Sequence, residues 1–314
     1  MSEDRLAPGP IAVLPEADPV FVAAVEEAGG TVGPLDARTR GLIWLEQTGA
    51  DALEPLLGEH PGLQWLQLPW AGVDPFIELL RRRARPDLVV TSAKGAFAPP
   101  VAEHALALTL ALLRRLPERA RATSWGAKGG RSLHGLHVLL IGAGGIALEL
   151  MRLMQPFGVT VTVVRRRDEP VPGAARTVTS DRLDEVLPEA DVVVIAAALT
   201  PSGTRRMFGT AQFRLLRPEA VLVNIARGAL VDTDALVAAL ADGRLAGAAL
   251  DVTDPEPLPD GHPLWSEPRA LITPHTADTP EMTAPLLAAR IRHNVRALHG
   301  SGEFAGIVDP EAGY

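Results

Sequence analysis

From residue 11 onward, short apolar runs alternate with segments whose apolar positions recur at helical spacing. Ile11–Leu14 precedes a helical pattern near Val20–Ala28, and the apolar runs Gly41–Leu45, Leu63–Leu68 and Leu88–Thr91 follow. This alternation is the signature of parallel βαβ units and predicts one small α/β domain with about five strands before residue 92. Pro99-Pro100 punctuates the chain there. Val101–Arg114 is largely apolar and too long for a strand, so it predicts a buried connecting helix. Past a Gly/Lys/Arg-rich turn at Gly126–Arg131 the alternation restarts. Val138–Ile141, Val159–Val164, Val192–Ala196, Val221–Ile225, Ala248–Val252 and Leu271–Thr273 give six strand runs, which fit a doubly wound nucleotide-binding sheet. Pro280–His299 is helical again, ahead of a Gly-rich tail.

The first of those six strands runs into Gly142-Ala143-Gly144-Gly145-Ile146-Ala147 and then a helical pattern from Leu148 to Phe157. Strand, glycine loop and helix in that order form the dinucleotide fingerprint. Gly142 permits the tight turn, Gly144 admits a pyrophosphate to the backbone, and Ala147 is small enough for helix-on-strand packing. The helix start adds free N–H groups and the positive end of its dipole. NAD-selective sites carry a carboxylate at the end of the second strand. Here, 23 residues past Gly142, stand Arg165, Arg166 and Arg167, and no carboxylate appears before Asp168. Guanidinium groups at that place predict a 2′-phosphate partner, so NADP(H) is the favoured cofactor, with NAD(H) possible.

Composition removes several other chemistries. The 314 residues suit two domains, and 30 basic against 38 acidic residues argue against a broad nucleic-acid surface. With no cysteine there is no disulfide, thiolate nucleophile or cysteine-ligated zinc, and the histidines show no metal-ligand spacing. Lys94 and Lys128 are the only lysines, so a Gly-Lys-Ser/Thr phosphate loop is ruled out. The sole tyrosine, Tyr314, rules out a Tyr-x-x-x-Lys proton-transfer pair. Met1–Arg5 shows no secretory pattern, and apolar runs fall short of a membrane span. A cytoplasmic protein with no membrane partner is the expectation.

Beyond the glycine loop, further motifs stand in a specific order: Trp70-Ala71-Gly72-Val73-Asp74, Val101-Ala102-Glu103, Leu222 through Gly228, Leu250-Asp251-Val252, Pro255-Glu256-Pro257-Leu258 and Pro274-His275. With them the chain resembles the D-isomer-specific 2-hydroxyacid dehydrogenases, the family of glyoxylate/hydroxypyruvate reductases, over most of its length. It departs from the family pattern with Ala147 for the third glycine, Arg165 for the usual acid, Thr253-Asp254 where Phe-Glu is common, and Ala198 where proline is common. The resemblance implies two Rossmann-like domains: a flavodoxin-like substrate domain from residues 1–98 and 283–314, and an inserted NAD(P)-binding domain from 99–282. The active site would lie in the cleft between them. It further implies a homodimer and a small 2-oxo or 2-hydroxy acid as substrate.

Reducing a 2-oxo acid calls for a cation on the carboxylate and carbonyl and for a proton donor. Arg227, after a strand, offers a permanently charged planar fork, and its family counterpart fills that role. His275 resembles the family's acid/base histidine, and Glu256, 19 residues earlier, resembles the carboxylate that orients it. The other seven histidines, His104 among them, read as structural. The cofactor residues expected are Gly142, Gly144, Gly145, Ile146 and Ala226, with Arg165 and Arg166 added by their charge at the second strand end, and the resemblance has Asp251 accepting from the nicotinamide amide and Thr204 near the phosphates. Backbone amides of Ala71, Gly72 and Val73 resemble the family's substrate-carboxylate loop, and Trp70 immediately before it is expected to wall the pocket. A 2-oxo acid reductase is the leading expectation. A dinucleotide-sensing, corepressor-like regulator of the same fold is the alternative, because fold alone does not separate them.

Overall fold

The computed structural model describes residues 9–200 and 203–313; the Met1–Arg5 segment and Tyr314 lie outside the described residues. The chain divides into two compact units, residues 1–97 with 279–314, and residues 98–278.

In the first unit, β1 (Ile11–Leu14), β2 (Gly41–Trp44), β3 (Trp65–Gln67) and β4 (Val89–Thr91) form a four-stranded parallel sheet in that order. About five strands were expected; the four apolar runs each form one, and an unpredicted single parallel bridge of Val32 on Ile11 extends the sheet. Gly29, Gly30 and Gly33 surround that bridge, and glycine contributes no side chain to sheet packing. Counting Val32, the spatial order is 2-1-3-4-5, the flavodoxin-like arrangement. Asp18 caps the helix Pro19–Glu27 through the amide of Val20, and a proline opens that helix where no amide is needed. The helix packs on Pro280–Arg296, with Arg292 reaching Glu27 at 3.0 Å.

The second unit holds a seven-stranded, wholly parallel sheet. Its strands are β5 (His137–Ile141), β6 (Thr160–Arg165), β7 (Arg176–Thr179), β8 (Val192–Ile195), β9 (Val221–Asn224), β10 (Gly247–Leu250) and β11 (Ala270–Ile272). They lie in the order β11-β10-β9-β8-β5-β6-β7, the doubly wound Rossmann arrangement with one strand added. β8 and β9 are buried along their whole length, as parallel strands covered on both faces require. Six strands were expected here. The one missed is β7, whose Arg-Thr-Val-Thr buries a single residue at the sheet edge, so its sequence carries almost no apolar signal. The expected connecting helix spans Ala98–Leu113 and packs on β9, β10 and the helix Gly145–Met154.

The alignment of strands places the chemistry. Because all seven run the same way, the residues after β5, β9, β10 and β11 emerge along one edge of the sheet. The register opposes Asn224, Leu250 and Ile272, so Asp251 and Thr273 follow side by side. Ligands of open α/β sheets bind along such a carboxyl edge.

Candidate active site

The glycine loop follows β5. Gly142 has φ +112°, and a Cβ there would sit 2.4 Å from the Ala196 carbonyl oxygen, so only glycine fits. Its amide donates to Val164 at 2.8 Å, tying the turn to β6. Gly144 caps the helix Gly145–Met154 without a side-chain partner, and a Cβ placed on it would meet nothing within 4 Å. An uncapped helix start beside open space is what a dinucleotide pyrophosphate needs. Ala147 is fully buried, and Ile146 is half-buried on the first turn.

At the end of β6, Arg165 pairs with Glu169 at 3.4 Å and also donates to the Glu169 carbonyl at 3.3 Å. Arg166 and Arg167 follow, both exposed. The hydroxyl of Thr204 is committed to its own loop: it accepts the Thr200 amide at 2.7 Å and reaches the Ala198 carbonyl at 3.2 Å.

Arg227 leaves β9 in extended backbone, half-buried, with Nη1 donating to the Ala226 carbonyl at 2.7 Å. Asn224 braces this exit, donating to the Arg227 carbonyl at 3.0 Å and accepting the Ala226 amide at 3.1 Å. A Cβ on the next residue, Gly228, would lie 1.9 Å from the carbonyl carbon and oxygen of Thr253. The backbones of the Arg227 and Glu256 loops therefore touch.

The Glu256 loop is pinned at Thr253 and Asp254. Thr253 Oγ1 donates to the Pro255 carbonyl at 2.8 Å, Thr233 to the Asp254 carbonyl at 2.8 Å, and Arg205 pairs with the Asp254 carboxylate at 3.2 Å. Glu256 in turn faces His275, with Oε1 and Nδ1 2.6 Å apart, a short charge-assisted contact. Nδ1–H donates, which leaves Nε2 as the ring atom able to exchange a proton with a substrate.

His275 has φ +49°, the left-handed region, and Asp251 holds it there. The Asp251 carbonyl accepts the His275 amide at 2.8 Å. Its carboxylate, 2% exposed, accepts Thr273 Oγ1 at 2.6 Å and the amides of Thr276 and Ala277 at 2.9 and 3.1 Å. Burial pushes the Asp251 carboxyl up, yet hydrogen bonds from His104, Thr273 and the two amides outweigh it and hold it below the usual carboxylate range. Oδ1 of Asp251 receives Thr273, Thr276 and His104, while Oδ2 receives the Ala277 amide.

Two residues that the sequence did not mark join the cluster. Asp278 lies three residues beyond His275, and burial pushes its carboxyl above the usual range despite the pull of His275 and Arg227. His104, on the helix Ala98–Leu113, reaches Thr273 at 3.1 Å. The one available signal was its position directly after Val101-Ala102-Glu103.

The loop Trp70–Val73 belongs to the first unit, after β3. Val73 is 2% exposed in that unit's core, so only its backbone is available to a ligand, and Trp70 stacks edge-to-face on Phe97 with ring centroids 6.1 Å apart. The buried indole Nε1 of Trp70 has no partner among the described residues.

Residues 106–277 match the model of the "D-isomer specific 2-hydroxyacid dehydrogenase, NAD binding domain". The chain belongs to this family. It is 36% identical, over 93% of its length and 95% of the relative's, to an "Uncharacterized protein in proB 3'region" of Corynebacterium melassecola. It is 32% identical to glyoxylate/hydroxypyruvate reductase B of Salmonella paratyphi A, over 88% and 86% of the two chains. Among solved structures it resembles a family member from Xanthobacter autotrophicus Py2 in complex with NADPH and MES. That match has a TM-score of 0.81 at 26% identity, over 98% of this chain and 100% of the other. Family membership makes the chain a 2-hydroxyacid dehydrogenase-type oxidoreductase with an NAD(P)-binding domain. Among the described residues, no helix is long and apolar enough to cross a membrane.

Proposed function

We propose that the protein is an NADPH-preferring reductase of a small 2-oxo acid of the glyoxylate or hydroxypyruvate type, yielding the D-2-hydroxy acid. The observation that carries the reading is the 2.6 Å contact of Glu256 with His275, on the same sheet edge as Arg227 and the Gly142 loop. Arg227 takes the substrate carboxylate and polarises its carbonyl oxygen through its planar fork. Nε2 of His275 donates the proton to that oxygen, and Glu256 stabilises the imidazolium before transfer and fixes the ring. A reduced nicotinamide dinucleotide, when bound, would supply the hydride. The amides at the start of the helix Gly145–Met154 would hold its pyrophosphate, and Arg165 and Arg166 its 2′-phosphate, with Glu169 as the internal anion that the phosphate displaces. Trp70, Ala71, Gly72 and Val73 are proposed as the carboxylate-binding loop. The neighbour from Xanthobacter, with its bound NADPH, and the Salmonella reductase support the cofactor and substrate class.

Initial rates with glyoxylate, hydroxypyruvate and bulkier 2-oxo acids, each with NADPH and NADH, test the reading. Turnover of the small acids with a higher kcat/KM for NADPH is expected. A preference for NADH would overturn the cofactor assignment. Tight NADPH binding without turnover of any acid would overturn the enzyme reading in favour of a sensor.

A further inference from the structure

Asp251 is the hub of the loop that carries His275, and one side chain from a separate element reaches it. His104 stands on the helix Ala98–Leu113, which packs over β9 and β10. Its Nε2 lies 3.1 Å from Thr273 Oγ1 and 3.4 Å from Asp251 Oδ1. The proton inventory fixes the direction of these contacts. Thr273 has one hydroxyl hydrogen, and its 2.6 Å approach to a carboxylate oxygen requires that hydrogen to point at Asp251. A lone pair of Thr273 Oγ1 is left facing His104, so Nε2 carries the hydrogen and donates. The same N–H lies against Asp251 Oδ1, a buried anion that already accepts the hydroxyl and the amide of Thr276.

We propose that His104 is a positioning residue for the acid–base step: its Nε2–H fixes Thr273 and the Asp251 carboxylate, and through them the backbone that holds His275 against Glu256. His104 does not touch the reacting atoms. The chain of contacts is continuous. His104 orients Thr273 and Asp251, the Asp251 carboxylate holds the amides of Thr276 and Ala277, and the Asp251 carbonyl holds the amide of His275. His275 sits between these anchors at φ +49°, a conformation that a histidine keeps only when its surroundings impose it.

The inference rests on the acid–base reading of His275, and its test includes a readout that needs no substrate. H104A and H104Q are compared with wild type in the full chain. Glutamine places an amide N–H near the position of the imidazole Nε2–H, whereas alanine removes that donor from Thr273 Oγ1 and Asp251 Oδ1 and leaves the other hydrogen bonds of the carboxylate in place. H104A is expected to lower kcat about tenfold or more, the scale of a small misplacement of a catalytic group, with KM for glyoxylate within about threefold. H104Q is expected to recover most of that loss. In parallel, the Nδ1 proton resonance of His275, shifted downfield by its short bond to Glu256, is followed by NMR on the substrate-free protein. It should shift or broaden in H104A and return toward its wild-type position in H104Q. If H104A fails to fold, H104N, whose shorter amide falls short of Thr273, takes its place. Wild-type kcat with an unchanged resonance in H104A would overturn the proposal, and so would equal impairment of the glutamine and alanine variants. If no 2-oxo acid is turned over by the wild type, the resonance alone decides, so failure of the substrate reading is distinguishable from failure of this one.

Discussion

Replacing Gly228 by alanine should separate the Arg227 and Glu256 loops. The added Cβ would lie 1.9 Å from the carbonyl carbon and oxygen of Thr253 and 2.6 Å from the Asp254 nitrogen. Reaching even 3.0 Å requires the Thr253 backbone to retreat by about 1 Å. Glu256 is three residues further along the same short loop. A retreat of that size would stretch its 2.6 Å contact with His275 to about 3.6 Å, beyond hydrogen-bond range. A misplacement of about 1 Å can cost about 10²-fold in rate, and overpacking of this kind costs about 1–3 kcal/mol of stability. For a unit of this size that is a fall of several degrees in Tm. Because the obstacle is backbone, a second change, Thr253→Gly, cannot relieve it. Steady-state kinetics with NADPH and glyoxylate, with thermal melts alongside, measure both effects. Turnover of G228A within about threefold of wild type would refute the claim that contact between these loops sets the Glu256–His275 geometry.

Other expectations follow from the same contacts. H275A should lose about 10²-fold or more in kcat, the scale of one general acid–base group, and E256Q should lose less, since both side chains are about half exposed and solvent screens their interaction; equal rates for E256Q and wild type would remove Glu256 from the mechanism. E169Q frees Arg165 from its internal anion and should raise the NADPH-over-NADH ratio of kcat/KM by several-fold, while R165A should lower it; an unchanged ratio in both would place the 2′-phosphate elsewhere. The carboxyls of Asp278 and Asp251 give opposite pH signatures. Burial raises the folded-state value of Asp278, so its contribution to stability is complete below its ordinary value of 3.8 and is lost as pH rises through the raised one. D278N should therefore gain Tm relative to wild type as pH climbs above 3.8, and parallel Tm–pH curves would contradict this. Asp251 is held low, so its contribution is present above 3.8 and is lost as pH falls through the lowered value, a loss that D251N should lack.

The parts of the fold that the sequence discloses are those where burial on both strand faces leaves unbroken apolar runs. β8 and β9 could be read directly, and the loop after β5 could be read because its glycines answer steric demands such as the Ala196 carbonyl beside Gly142. β7 and the Val32 bridge could not, since an edge strand with one buried residue and a single glycine-flanked bridge carry little pattern. The site divides in the same way. Arg227, Glu256 and His275 sit in recognisable motifs, whereas His104 and Asp278 gain their meaning only from register and packing. His104 lies 169 residues from Thr273 in sequence, and its place directly after Val101-Ala102-Glu103 is the sole local mark that sets it apart from the other histidines.

The interruption of the first unit by the second bears on how the chain is made. Its four strands leave the ribosome within the first 97 residues, but the helix Pro280–Arg296, which covers Pro19–Glu27, emerges only after the intervening 98–278. At about 5–20 residues per second the delay is about 10–40 s. During that interval the side of the helix Pro19–Glu27 that the buried Ile291 and Val295 of the late helix face stays uncovered. The inserted unit is contiguous and can mature first, so the nascent chain should depend on holdase chaperones over its first unit more than over the inserted one.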